Sequence, residues 1–166
     1  MTRVSLIVAH DEGGVIAVNG RIPWDLPEER SYFRRVTNGG AVIMGARTWE
    51  TIREPLPGRI NVVLTKHIAF VGKGPAWVAT SLDAAFGMAE HETENVFVIG
   101  GAEVYRAALV AGVVERIYAT EVHARYDGAD VRRFEMPAGW RCVEKGMRRA
   151  ATGTRPAWTP RVWRRP

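Results

Sequence analysis

The chain alternates two kinds of segment that can coexist in few architectures. Residues 4–8 (VSLIV), 41–44 (AVIM), 60–64 (INVVL), 76–80 (AWVAT), 96–99 (VFVI) and 116–122 (RIYATEV) are short runs rich in β-branched side chains. Several are too apolar to be half exposed, and a strand of that kind must be covered on both faces. Between them, residues 25–37, 46–52, 81–90 and 102–111 carry apolar side chains at helical spacing. Strands alternating with helices predict an α/β fold around a mostly parallel sheet. Beyond the last run, Trp140, Val143, Trp158, Val162 and Trp163 are separated by Gly and Pro, which predicts a closing antiparallel hairpin.

At 166 residues the chain is one domain by length and can bury roughly 70% of its unfolded surface. The single cysteine, Cys142, has no partner for a disulfide, and the four histidines show no ligand spacing, so no metal site is expected. The apolar run at the N-terminus is too short for a signal peptide, and no apolar stretch could span a bilayer. A cytoplasmic, membrane-free monomer is the expectation. The formal charge of +5, with arginines crowded after residue 146, predicts attraction to phosphates or carboxylates without choosing among nucleic acid, cofactor and substrate.

The stretch RIPWDLPEERSYF, residues 21–33, sets two acids side by side. Asp25 followed three residues later by Glu28 has the spacing of a helix-start capping box, with Pro27 suited to the first turn. Glu28 is then structural. Glu29 shares a helix face with Leu26, Tyr32 and Phe33. A carboxylate there is either half exposed at the helix border or reserved for a ligand, because an unpaired buried charge is costly.

Two junctions share a strand–glycine–helix design: AVIMGARTW (41–49), with Gly45 before Arg47 and Thr48, and NVFVIGGAEVY (95–105), with Gly100 and Gly101. Each is either an ordinary tight turn or a place where helix N-terminal amides meet an anion, and two together could hold one pyrophosphate. The second is not a GxGxxG fingerprint, so a Rossmann reading fails on spacing.

Taken in order, GVIAVNGRIPWDLPEERSYF, VIMGARTWETI, PLPGRINVVLT, VFVIGGAEVY and IYATEV resemble dihydrofolate reductase along nearly the whole chain, and bacterial members in particular. The resemblance implies an eight-stranded, mostly parallel sheet with a C-terminal antiparallel hairpin, flanked by four helices. It implies NADPH as cofactor, dihydrofolate as substrate and antifolates as inhibitors. Glu29 falls on the family's acidic pterin-binding position, with Trp24, Tyr105 and Thr120 as its catalytic companions, Trp24 ordering a water and Thr120 hydrogen-bonding Glu29. Ile7, Val8, Ala9, Phe33, Ile52, Leu56 and Ile99 are expected to line the cleft, and Arg59 to take the α-carboxylate of the glutamate tail. Gly45, Ala46, Arg47, Thr48, Gly100, Gly101, Ala102, Glu103 and Val104 match the pyrophosphate site. Leu64, Thr65 and Lys66 lie toward the adenosine 2′-phosphate, and Ile16, Asn19 and Gly20 belong to the loop, residues 13–24, that closes over nicotinamide.

Three departures from the family pattern stand out: Ala46 where a cation is usual, and Ala17 and Ala102 where glycine is common. With Ala46 uncharged, the 2′-phosphate is expected to rely on Arg47 and Lys66. Arg30 is either a solvent-facing helix residue or a cation at the cleft mouth that pairs with the glutamate tail and so disfavours trimethoprim, which lacks it. Two rival readings remain. The pyrimidine reductase of riboflavin synthesis shares the fold but lacks the PW-x-LP-x-[DE] and PLPGR motifs. A nucleic-acid-binding module would use the arginine-rich tail, which reads equally as a solvated strand face.

Overall fold

The computed structural model describes residues 1–67 and 76–166. Among the described residues fourteen elements follow one another: β1 (Arg3–His10), β2 (Val15–Val18), α1 (Pro27–Thr37), β3 (Ala41–Gly45), α2 (Ala46–Ile52), β4 (Ile60–Leu64), β5 (Ala76–Ala79), α3 (Leu82–Glu90), β6 (Asn95–Gly100), α4 (Ala102–Val110), β7 (Arg116–Val122), β8 (Val131–Arg133), β9 (Arg141–Lys145) and β10 (Trp158–Arg164). Eight strands form one sheet in the order β5-β4-β3-β6-β1-β7-β10-β9. Pairings from β5 through β7 are parallel, and β10 runs antiparallel to both β7 and β9.

Every expected strand and helix is present, and the side chains explain why. In β3, Ile43 faces the layer of α3, while Val42 and Met44 face the layer of α1 and α2, all three fully buried. Covered on both sides, such a strand has no polar face to show. The tail forms the expected hairpin of β9 and β10, with Trp158 and Val162 buried and β9 exposed along its length.

Two features depart from expectation. The segment expected as the closing loop, residues 13–24, contains β2, which pairs with β8 as a second, two-stranded sheet. Its root is Asp11, 1% exposed. One carboxylate oxygen accepts from the amides of Gly13 and Val15, both at 2.8 Å, and the other accepts from the Tyr126 amide at 2.8 Å. The second departure is the start of α1. Its cap is Leu26, whose apolar side chain offers no cap hydrogen bond, so the Asp25–Glu28 capping box does not form. Leu26 is buried with Trp24, Val122 and Trp158, and Pro27 begins the helix directly after it. Asp25 is therefore one residue too early, and it binds Arg30 and, at 3.6 Å, Arg155 instead.

Candidate active site

In parallel sheets of this kind ligands sit beyond the carboxyl ends of the strands, near the point where the winding reverses. Here β6 returns between β1 and β3. The ends of β1, β3, β4 and β6 open on a single cavity of about 1450 Å³. β1 supplies Ile7, Val8 and Ala9; α1 supplies Glu29, Arg30 and Phe33; Ile52 and Leu56 close the apolar wall. Residues 13–24 contribute Ile16, Gly20 and Trp24 from above.

Glu29 shares the lining with two other acids, Glu103 and Asp130, and among the described residues no side chain or amide hydrogen-bonds to the Glu29 carboxylate. Burial pushes its pKa up to about 7, with Arg30 pulling weakly the other way. A carboxyl group held in that state is set to meet a hydrogen-bond donor from a ligand. Nearby, Tyr105 is buried, and its hydroxyl donates to the Ile7 carbonyl at 2.7 Å with the Ile99 carbonyl at 2.9 Å beside it. It thereby ties β1 to β6 under the cleft, and burial raises its pKa further from the neutral range.

The two glycine junctions meet. Met44 pairs with Gly100 across β3 and β6, and a Cβ on Gly45 would sit 3.2 Å from Val104 and 3.8 Å from the Gly100 carbonyl. A side chain at Gly100 would meet the Tyr105 hydroxyl at 3.2 Å, and the Gly100–Gly101 peptide is cis. Backbone therefore faces the cavity where α2 and α4 begin, with Ala46, Arg47, Thr48, Ala102, Glu103 and Val104 around it. Leu64, Thr65 and Lys66 continue this lining toward the end of β5.

The sequence matches the family described as dihydrofolate reductase over residues 3–165. The chain belongs to the dihydrofolate reductase family. It is 37% identical to a dihydrofolate reductase type 3 of Salmonella typhimurium, over 86% of this chain and 85% of that one. It is 34% identical to the dihydrofolate reductase of Neisseria meningitidis serogroup B, over 95% and 96%. Among solved structures, a dihydrofolate reductase from Enterococcus faecalis complexed with NADP(H) and RAB-propyl superposes with a TM-score of 0.87 at 25% identity, covering 98% of this chain and 96% of that one.

Two residues expected in this dihydrofolate reductase cleft are not on its wall. Thr120 is buried on β7, opposite Ala9 of β1, and among the described residues no direct hydrogen bond joins it to Glu29. Asn19 occupies a left-handed turn at φ 50° and points at the neighbouring segment, exchanging hydrogen bonds with Asp130 at 2.8 and 3.3 Å. Arg30 does reach the cavity, but its guanidinium is engaged by Asp25.

Other residues went unanticipated. Arg34 on α1 and Asn38 at its C-cap extend Arg30 into one row, and a spacing of four would have revealed them. Thr80 and Ser81 line the far end, where Ser81 caps α3 through the Ala84 amide. Buried Asn61 shapes the 55–59 turn, bonding both the amide and the carbonyl of Leu56 and the carbonyl of Arg59 at 2.9–3.1 Å. That turn lets Arg59 donate to Pro57 O and to the Thr37 hydroxyl. Among the described residues no cluster of His, Cys, Asp or Glu could hold a metal, and no helix is long and apolar enough to cross a membrane.

Proposed function

We propose that this protein reduces 7,8-dihydrofolate to 5,6,7,8-tetrahydrofolate with NADPH. The observation that carries the reading is Glu29, an acid without a hydrogen-bond donor in an apolar wall, opening on the same cavity as the paired glycine junctions. A cavity of about 1450 Å³ has room for a dinucleotide and a pterin together. The bare backbone at Gly45, Gly100 and Gly101 suits a pyrophosphate, with Arg47 and Lys66 the cations for the 2′-phosphate end.

Bound NADPH supplies the hydride, and the chain's own residues hold, polarise and exclude water. The Glu29 carboxylate accepts two hydrogen bonds from the amidine-like edge of the pterin, which fixes the ring and favours its protonated form. Phe33, Ile52 and Leu56 pack the ring and the benzoyl group. Trp24, buried against Tyr126 at 5.7 Å, roofs the pterin end and orders the water through which a proton reaches N5. Tyr105 holds the cleft floor, and the β2–β8 unit positions the covering segment. A reducing compartment agrees with the single exposed thiol, Cys142.

The test is the fall in NADPH absorbance on adding dihydrofolate to purified protein. Dihydrofolate-dependent oxidation without added metal is expected. Cofactor binding with no dihydrofolate-dependent oxidation at micromolar protein overturns the reading.

A further inference from the structure

On the face of α1 that does not line the cleft, a second pocket of about 230 Å³ opens between the helix and the connection from β9 to β10. The helix contributes Glu28, Ser31 and Arg35, the connection Arg149, and β10 Trp158; none of the five lines the large cavity. Spacings of three and four put the helix residues on one face, a turn apart. The backbone of Arg149 is fixed against that of Trp158 by reciprocal hydrogen bonds of 2.7 and 3.1 Å. Both walls are therefore built on regular backbone.

Each arginine is stacked on an aromatic ring. The Arg35 guanidinium lies 5.8 Å from the centre of the Tyr32 ring, and that of Arg149 lies 6.0 Å from the centre of the Trp158 ring. The two rings pack on each other at 6.3 Å. Stacking holds the plane of a guanidinium while leaving its N–H edge open, which removes rotamer freedom that a ligand would otherwise have to freeze. Among the described residues neither guanidinium has an ion-pair partner, and neither has the Glu28 carboxylate. Ser31 donates its hydroxyl proton to the Pro27 carbonyl at 3.1 Å, so toward the pocket its oxygen accepts.

These groups define what fits. Two guanidinium groups against one carboxylate leave one positive charge in excess. A plain dianion would face Glu28, and a plain amine would face the arginines, each a like-charge contact. A zwitterion with two acids and one amine answers every group: its carboxylates meet the two guanidinium forks, its ammonium meets Glu28 and the Ser31 oxygen, and its short carbon chain rests on Trp158. We propose that this pocket is a second binding site, for a small amino dicarboxylate of the aspartate type. The site is separate from the cleft, so the inference goes beyond the reductase reading and does not depend on it.

The experiment titrates the whole protein at low salt with L-aspartate, succinate, L-alanine and inorganic phosphate, following tryptophan indole N–H resonances by NMR. The Trp158 resonance is assigned by its loss in Trp158→Phe. Aspartate is expected to move it saturably, with Trp24 of the cleft moving less, and to bind at least about fivefold more tightly than the other three probes, a margin that one charge-assisted contact supplies. Added salt weakens the binding, since the charges are exposed. Arg149→Gln and Arg35→Gln each weaken aspartate several-fold, whereas Arg106→Gln on exposed α4 surface leaves it unchanged. Glu28→Gln removes the preference for aspartate over succinate. A Trp158 resonance that does not move, a larger response at Trp24, equal affinity for aspartate and succinate, tighter binding of phosphate, or binding that survives Arg149→Gln overturns the proposal. NADPH oxidation with dihydrofolate, measured separately, is unaffected by any of these outcomes.

Discussion

Asp11 is fully buried and Glu29 half-buried in the cleft wall, yet the two acids are opposites in construction. Asp11 accepts three backbone amides at 2.8 Å, two from the root of the covering segment and one from a strand connection 115 residues away. Glu29 has none, and its pKa has moved up to about 7. A carboxylate whose oxygens are occupied by the chain is architecture, because its charge is already answered. One left open by the same chain is held for a ligand. The number of donors within reach distinguishes the two roles.

The sharpest way to break this comparison is to remove each acid and see which property fails. Asp11→Ala strands three amides and unties β2 from the 124–130 segment. Hydrogen bonds to a charged group contribute ~1.5–3 kcal/mol each, and with partial rebinding of water the net loss is ~4 kcal/mol. Thermal unfolding should fall by roughly 10 °C. A loss below ~1 kcal/mol would show that the amides are equally well served by water. Glu29→Gln should leave the melting curve intact or improved and lower turnover near neutral pH roughly a hundredfold, ~3 kcal/mol of charge-assisted pairing with the pterin. Glu28→Gln is its neighbouring control: exposed and without the cap bond expected of it, it should change activity less than twofold. If Glu28→Gln proved the damaging variant, the assignment of the acid pair would be reversed.

Protonation sharpens the contrast further. The Glu29 pKa is raised from 4.5 to about 7, so between those values the folded chain binds more protons than the unfolded one. Stability of the ligand-free protein must then decline as pH rises through that window. Below pH 4.5 the contribution is fully present, and above pH 7 it is gone. Melting temperatures at pH 5 and pH 8 should differ by several degrees more in the wild type than in Glu29→Gln. Equal differences in the two proteins would mean that Glu29 titrates normally. Bound ligand reverses the preference, because a donor on the pterin stabilises the charged form.

How much of this was legible in the sequence follows from how local each cause is. The sheet strands could be read because Val42, Ile43 and Met44 leave no polar face, a property of four or five adjacent residues. β2 and β8 were missed because four- and three-residue strands, one of them VRR, carry too little pattern. The cap at Asp25 was misread by one residue, since what places the helix start is the burial of Leu26 among Trp24, Val122 and Trp158, three side chains from distant segments. Asp11 and Asn61 announce nothing in sequence because their bonds are set by loops that only the finished fold brings near. Glu29 stood out from its helix face alone, but its freedom from partners required the structure.

The smallest expected effect tests whether the two ends of the α1 row act separately. Arg30 lies between Glu29 and Arg34 in sequence, lines the cavity, and is paired with Asp25 in the solvent-exposed zone. Because that pair is exposed, Arg30→Leu should alter stability by less than ~1 kcal/mol. Since Asp25 already holds the guanidinium, the ratio of trimethoprim inhibition constant to dihydrofolate KM should move less than about threefold, under ~0.7 kcal/mol. A several-fold shift would restore Arg30 as a tail contact. Arg30 does, however, lower the Glu29 pKa through its charge. Removing it should push that pKa further up, moving the acid limb of the kcat/KM profile by ~0.5 pH unit, equivalent to ~0.7 kcal/mol of screened charge interaction. An unchanged or downward-shifted limb would mean that Asp25 cancels the Arg30 charge completely, and that the pterin end and the tail end of the cleft are electrostatically independent.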